Sequence, residues 1–136
     1  MPVFQTFYVS RAARPLDDAS IEALLLSSRR GNAGRRITGC LLFSGRCFAQ
    51  VLEGERGDVQ SLVARVARDP RHTDVRVLSE GRRDEREYSG WTMGYLRDTA
   101  LDDDLETLLM IPQRSVVVAA DVMERMRPDP VMGALR

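Results

Sequence analysis

Residues 3–10 read Val-Phe-Gln-Thr-Phe-Tyr-Val-Ser, aromatic and β-branched enough to predict a first strand. A loop holding Pro15 follows. Asp17 and Asp18 are then placed to cap a helix in which Ile21, Leu24 and Leu25 recur at helical spacing, with Gly31 as its expected stop. Ile37–Phe43 and Cys47–Leu52 alternate as two strands around a Ser44-Gly45 turn, which makes a hairpin. Gly54–Asp58 opens a second helix, and its apolar stripe is Val59, Leu62, Val63, Val66 and Ala67. Asp69-Pro70 closes it. Val75–Leu78 is a short fourth strand, and Arg82–Glu87 is a charged connection. Trp91–Leu96 is a fifth strand that would put Trp91, Met93 and Tyr95 on one face.

The order strand, helix, strand, strand, helix, strand, strand predicts an α+β fold. It is a ferredoxin-like five-stranded mixed sheet with two helices on one face. From Leu101 the pattern turns helical, although Val116-Val117-Val118 also suits a strand. Leu105, Leu108, Val118 and Val122 are candidates to cover the sheet's other face. The expected division is a core domain over 1–97, a helical cap over 98–127 and a loose tail over 128–136.

Composition narrows the function. Twenty basic and twenty acidic residues cancel, and every basic residue is arginine, so no basic stripe points to nucleic acid. No apolar run approaches the ~18 residues of a membrane span. The start of the chain lacks the pattern of a secretion signal. Cys40 and Cys47 have neither metal nor redox-motif spacing and suit a reducing cytoplasm. His72 is the sole histidine, which argues against a multi-histidine metal site.

One polar residue stands out. In Phe48-Ala49-Gln50-Val51-Leu52-Glu53-Gly54, period two puts Phe48, Gln50 and Leu52 on one face, so a primary amide sits between two large apolar groups. Left unpaired there, it would cost about 1–3 kcal/mol. Tyr8 on the first strand is a neighbour of Gln50 in the expected sheet. Leu24, Ser28 and Asn32, four apart, form a helical stripe that turns polar toward Asn32. Trp91 and Met93 would add a polarisable wall. Apolar walls with a few convergent polar groups describe a ligand pocket. The set Tyr8, Asn32 and Gln50 holds no nucleophile–base pair, carboxylate pair or metal cluster. It suits a planar heterocycle with carbonyl and ring-nitrogen edges.

Tyr8-Val9-Ser10, Asn32, Ile37-Thr38-Gly39, the stretch Phe48 to Gly54, Asp69-Pro70-Arg71-His72 and Trp91-Thr92-Met93 together resemble the BLUF family, blue-light sensors using flavin. The resemblance spans residues 3–96 in order. It implies a blue-light photoreceptor module, not an enzyme, that binds FAD (or FMN) non-covalently between the two helices. Tyr8 would give an electron and then a proton to the excited flavin. Gln50 would rearrange its amide and produce a reversible red shift. Asn32 and Ser28 would hold the polar edge of the ring, and Leu24, Phe48 and Val66 would pack on it. Arg65, Asp69, Arg71 and His72 would line the ribityl and phosphate side. Trp91 and Met93 would relay the change to a downstream signalling protein, with one or the other of them facing the pocket, and the chain would self-associate. Gly31 departs from relatives that often carry a larger residue there, which leaves one flavin face more open.

Each of these residues also has an ordinary reading. Tyr8 and Gln50 can be core ties, Asn32 a helix-end residue, Trp91 and Met93 core, and Arg65 with Asp69 a surface ion pair. Three other functions remain open on the residues alone. They are a flavin-free ferredoxin-like regulatory domain, an acylphosphatase-like small hydrolase, and a light-insensitive redox flavoprotein.

Overall fold

The computed structural model describes residues 2–111 and 115–128. Its elements are β1 (Val3–Ala12), α1 (Asp18–Gly34), β2 (Thr38–Phe43), β3 (Cys47–Gly54), α2 (Arg56–Arg68), β4 (His72–Arg83), β5 (Gly94–Arg97), α3 (Asp102–Met110) and α4 (Ser115–Met126). The sheet runs β4-β1-β3-β2-β5, antiparallel throughout except for the parallel β2–β5 pair. This is the expected ferredoxin-like mixed sheet with one added edge strand. No helix among the described residues is long and apolar enough to cross a membrane.

Strand alternation divides the core into two layers. Tyr8, Leu41, Phe43, Phe48 and Leu52 face α1 and α2, where they pack on Ile21, Leu24, Leu25 and Val59. Phe7, Val9, Leu42, Ala49 and Val51 point the other way and are covered by Leu105, Leu108 and Leu109 of α3 and Val122 and Met126 of α4. Both C-terminal helices therefore lie on the sheet face opposite α1 and α2. Val116-Val117-Val118 lies within α4. The tail expected from residue 128 falls, beyond Pro128 itself, outside the described residues.

Three boundaries differ from the sequence reading. First, α1 passes through Gly31 to Gly34. The chain turns instead where the Asn32 carbonyl accepts from the amides of Arg35 and Ile37, at 3.1 and 2.9 Å, and Arg36 takes the left-handed conformation at φ 54°. Hydrogen bonding at the end of the helix outweighs the ~1–2 kcal/mol that conformation costs a residue with a Cβ. Second, β4 runs from His72 to Arg83, so Arg82 and Arg83 belong to a strand and pair with Phe4 and Val3. β4 is an edge strand, and charged side chains on an edge block further strand addition while reading as loop in the sequence. Third, β5 begins only at Gly94, and Trp91–Met93 is a bend.

Candidate functional site

The site begins with strand register. Tyr8 on β1 stands directly opposite Gln50 on β3, and both point toward α1 and α2. Gln50 is 6% exposed and Tyr8 is fully buried. The Tyr8 hydroxyl donates to Gln50 Oε1, and Gln50 Nε2 lies 3.3 Å from Met93 Sδ. The amide is thus held from both ends, by a phenol on one side and a thioether on the other. Burial, reinforced by the negative charge of Asp69, raises the Tyr8 pKa well above its usual value of 10.0. The phenol is therefore neutral.

Helix α1 supplies the opposite wall. Leu24, Ser28 and Asn32 line the cavity as the four-residue spacing predicts. Asn32, 2% exposed, donates from Nδ2 to the Thr92 carbonyl at 2.7 Å, which ties α1 to the segment carrying Met93. Gly31 faces the same space, and a Cβ built on it would meet nothing within 4 Å.

The remaining wall comes from the end of α2 and the start of β4. Arg65, Val66, Asp69, Arg71 and His72 all border the cavity. Arg71 closes on Asp69 with a contact of 2.6 Å, so Asp69 pairs with Arg71 and not with Arg65. That bond is the main reason the Asp69 carboxyl titrates below its ordinary range. Arg65, Arg68 and Arg35 also line the mouth and form no ion pair among the described residues. Burial pushes the His72 pKa down to about 4, so the imidazole is neutral at pH 7. Its Nδ1 is 2.9 Å from Ser10 Oγ. This is a serine–histidine pair that the sequence reading did not anticipate. Ser10 is wholly buried and does not border the cavity, so it cannot attack a bound substrate.

Together these walls enclose about 370 Å³ between α1, α2 and the sheet, within the range of small-molecule sites. Leu24, Leu41, Leu62 and Val66 offer apolar surface for a flat ring system. Asn32, Gln50 and Ser28 offer an amide-and-hydroxyl edge, and three arginines offer charge at the mouth. The donor set fits a flavin with its ring inside and its phosphates outside.

Two expected site residues lie elsewhere. Trp91 faces away from the cavity, 6.1 Å from the Tyr88 ring in the layer under α3 and α4. Period-two alternation would have put it beside Met93, but alternation needs an extended strand and the chain bends here. Phe48 stays on the cavity side of the sheet but behind His72, with ring centroids 4.7 Å apart, and does not border the cavity. Arg35, Arg68, Leu41 and Leu62 were missed. Leu41 is legible in hindsight, being the cross-strand partner of Gln50, and Arg68 lies one turn beyond Arg65. Arg35 sits in the turn after α1, where sequence periodicity gives no direction.

Comparison with known proteins gives the family and the fold. A family model described as sensors of blue-light using FAD, BLUF, matches residues 3–94. The photoactivated adenylate cyclase subunit beta of Euglena gracilis is 40% identical over 87 residues, which is 63% of this chain and 10% of that protein. The chain thus spans about a tenth of the length of the curated relatives it matches. Among solved structures, the dark state of BlrB, a BLUF protein, superposes with a TM-score of 0.72 at 26% identity. It covers 90% of this chain and 92% of its own. Klebsiella pneumoniae BlrP1, in a manganese and cyclic diGMP complex, gives 0.68 at 32% identity, covering 89% of this chain and 32% of its own.

Proposed function

This chain belongs to the BLUF family, the sensors of blue light using FAD, and from that membership we propose that it is a photoreceptor module that answers light by re-pairing the Gln50 amide. The observation that carries the proposal is the hydrogen-bond chain Tyr8–Gln50–Met93 set in the wall of the cavity. A hydroxyl can accept as well as donate, so Tyr8 can pair with either end of the amide. A thioether only accepts, so Met93 pairs with the nitrogen end alone. Two orientations of one side chain therefore both satisfy Tyr8 but differ at Met93 and at the cavity.

A bound flavin supplies absorption of blue light and a strong excited-state electron acceptor. The protein does the rest. Tyr8, neutral and buried, holds the proton at Oη that its oxidation would release along the bond to Gln50. Asn32 and Ser28 orient the polar edge of the ring, and Leu24 and Val66 exclude water from it. Arg35, Arg65 and Arg68 favour FAD over FMN, because three guanidiniums without an ion pair among the described residues suit a ligand with two phosphates. The cycle returns to its start without net turnover, so the module is a switch and not a catalyst.

The signal passes to a protein partner or to another copy of this chain through Met93 and the C-terminal helices. The Euglena relatives are named as adenylate cyclase subunits, which shows one kind of output that such a domain can be joined to. Cys40 and Cys47, buried and free, fit a reducing, cytoplasmic setting.

The test is an absorption spectrum of the purified protein before, during and after blue illumination. A flavin spectrum that shifts to the red and recovers in the dark supports the reading. Protein that takes up no flavin on reconstitution, or a flavin spectrum unmoved by light, refutes it.

A further inference from the structure

Glu53 is a wholly buried carboxylate that the light reaction described above does not use. It sits three residues beyond Gln50 on β3 and points to the opposite sheet face. It forms no ion pair among the described residues. Hydrogen-bond donors converge on it instead. The backbone amides of Glu87 and Tyr88 each reach it at 2.8 Å, the Thr38 hydroxyl at 2.9 Å and the Gln5 amide at 3.4 Å. Arg86 closes the shell, bonding Thr38 Oγ1 at 2.8 Å and the Glu53 carbonyl at 3.1 Å. A carboxylate with several charge-assisted bonds is a strong anchor, and removing a buried one leaves those donors unpaired.

The anchored segment leads straight to the switch. From Tyr88 the chain turns through the Trp91 amide bonded to the Tyr88 carbonyl at 2.9 Å, and the Trp91 carbonyl accepts from Gly39 at 3.0 Å. Thr92 is held by Asn32 and the Met93 carbonyl by Arg29. Met93 Sδ then meets Gln50 Nε2. Residues 86–93 thus form a strap fixed at both ends to one strand, through Glu53 on one face and Gln50 on the other. Gly39, which holds Trp91, itself packs so closely on β3 that a Cβ there would lie 2.0 Å from the Val51 carbonyl oxygen.

We propose that Glu53 is a positioning residue for the photocycle: by holding the strap it sets where Met93 meets Gln50, and so sets the balance between the two amide orientations. This rests on the reading of Gln50 as the switch. A purely structural Glu53 would only secure the β4–β5 connection.

The experiment is a double-mutant cycle on the flavin-loaded protein, read as the rate of dark recovery. Glu53→Gln keeps the shape but offers one acceptor and one donor where two backbone amides both donate, so one bond must break. Glu53→Gln is expected to change the recovery rate by about threefold in the otherwise natural chain and to have almost no effect once Met93→Ala has removed the residue it acts through. An equal factor in both backgrounds overturns the proposal, as does no change in the natural one. If Glu53→Gln does not fold, Thr38→Val, which removes one donor from the same carboxylate, runs through the same cycle with the same criteria. A natural chain that binds flavin but shows no light-induced shift is a different failure: it removes the switch itself, and the proposal falls with it.

Discussion

Acidification from pH 7 to pH 5 should cost this protein about 2 kcal/mol of folding stability through a single side chain. His72 is the only histidine, so no other side chain has its ordinary pKa in that interval. Burial lowers its pKa from 6.5 to about 4 in the folded protein. The unfolded chain therefore binds a proton first as the pH falls, and stability drops with it. The contribution is complete above pH 6.5 and is lost on the way down to about pH 4. At about 1.4 kcal/mol per pH unit the full window is worth roughly 3.5 kcal/mol, of which about three fifths is gone at pH 5. Carboxylates such as Asp69 and Glu106, held low by Arg71 and Arg11, lose their contributions only as the pH falls through the ordinary carboxylate range and below it. They do not interfere above pH 5. Urea unfolding followed by circular dichroism at pH 7, 6 and 5, with FAD at fixed concentration, gives the slope. His72→Gln stays neutral and can still bond Ser10, so its midpoints should be flat over the same range. Equal midpoints for the natural protein at pH 7 and 5, or an undiminished slope in His72→Gln, would refute the reasoning.

Other substitutions separate the switch from its scaffold. Gln50→Leu should keep flavin but abolish the reversible red shift, and should lower stability by about 1–3 kcal/mol because the Tyr8 hydroxyl loses its acceptor; spectra under illumination and a melting curve check both. Gly31→Ala should raise stability by about 0.5–1 kcal/mol, since the residue lies inside α1 with open space around it, and thermal melts read this directly. Trp91→Ala should cost about 3–5 kcal/mol from the layer under α3 and α4, whereas Trp91→Phe should leave the dark flavin spectrum unchanged.

The sequence alone determined the five strands, both helices of the cavity and the face on which Gln50 must sit. All of these follow from short periods, two in a strand and 3.6 in a helix, carried by neighbouring residues. The stripe Leu24, Ser28 and Asn32 was legible for that reason, and so was Tyr8 beside Gln50 once the strand order was set. Tertiary structure decided whatever depends on where the chain bends or what a polar group finds in space. Trp91 and Met93 parted to opposite sides of the sheet because the chain is not extended between them. The charged end of β4 became a strand because β1 offered it an open edge. Asp69 closed on Arg71, two residues away, where helical spacing had pointed to Arg65. Glu53 has no role of its own in the sequence reading. It is instead the acceptor for amides thirty-four and thirty-five residues later, because a buried carboxylate takes whatever donors the fold brings to it and no local pattern encodes which.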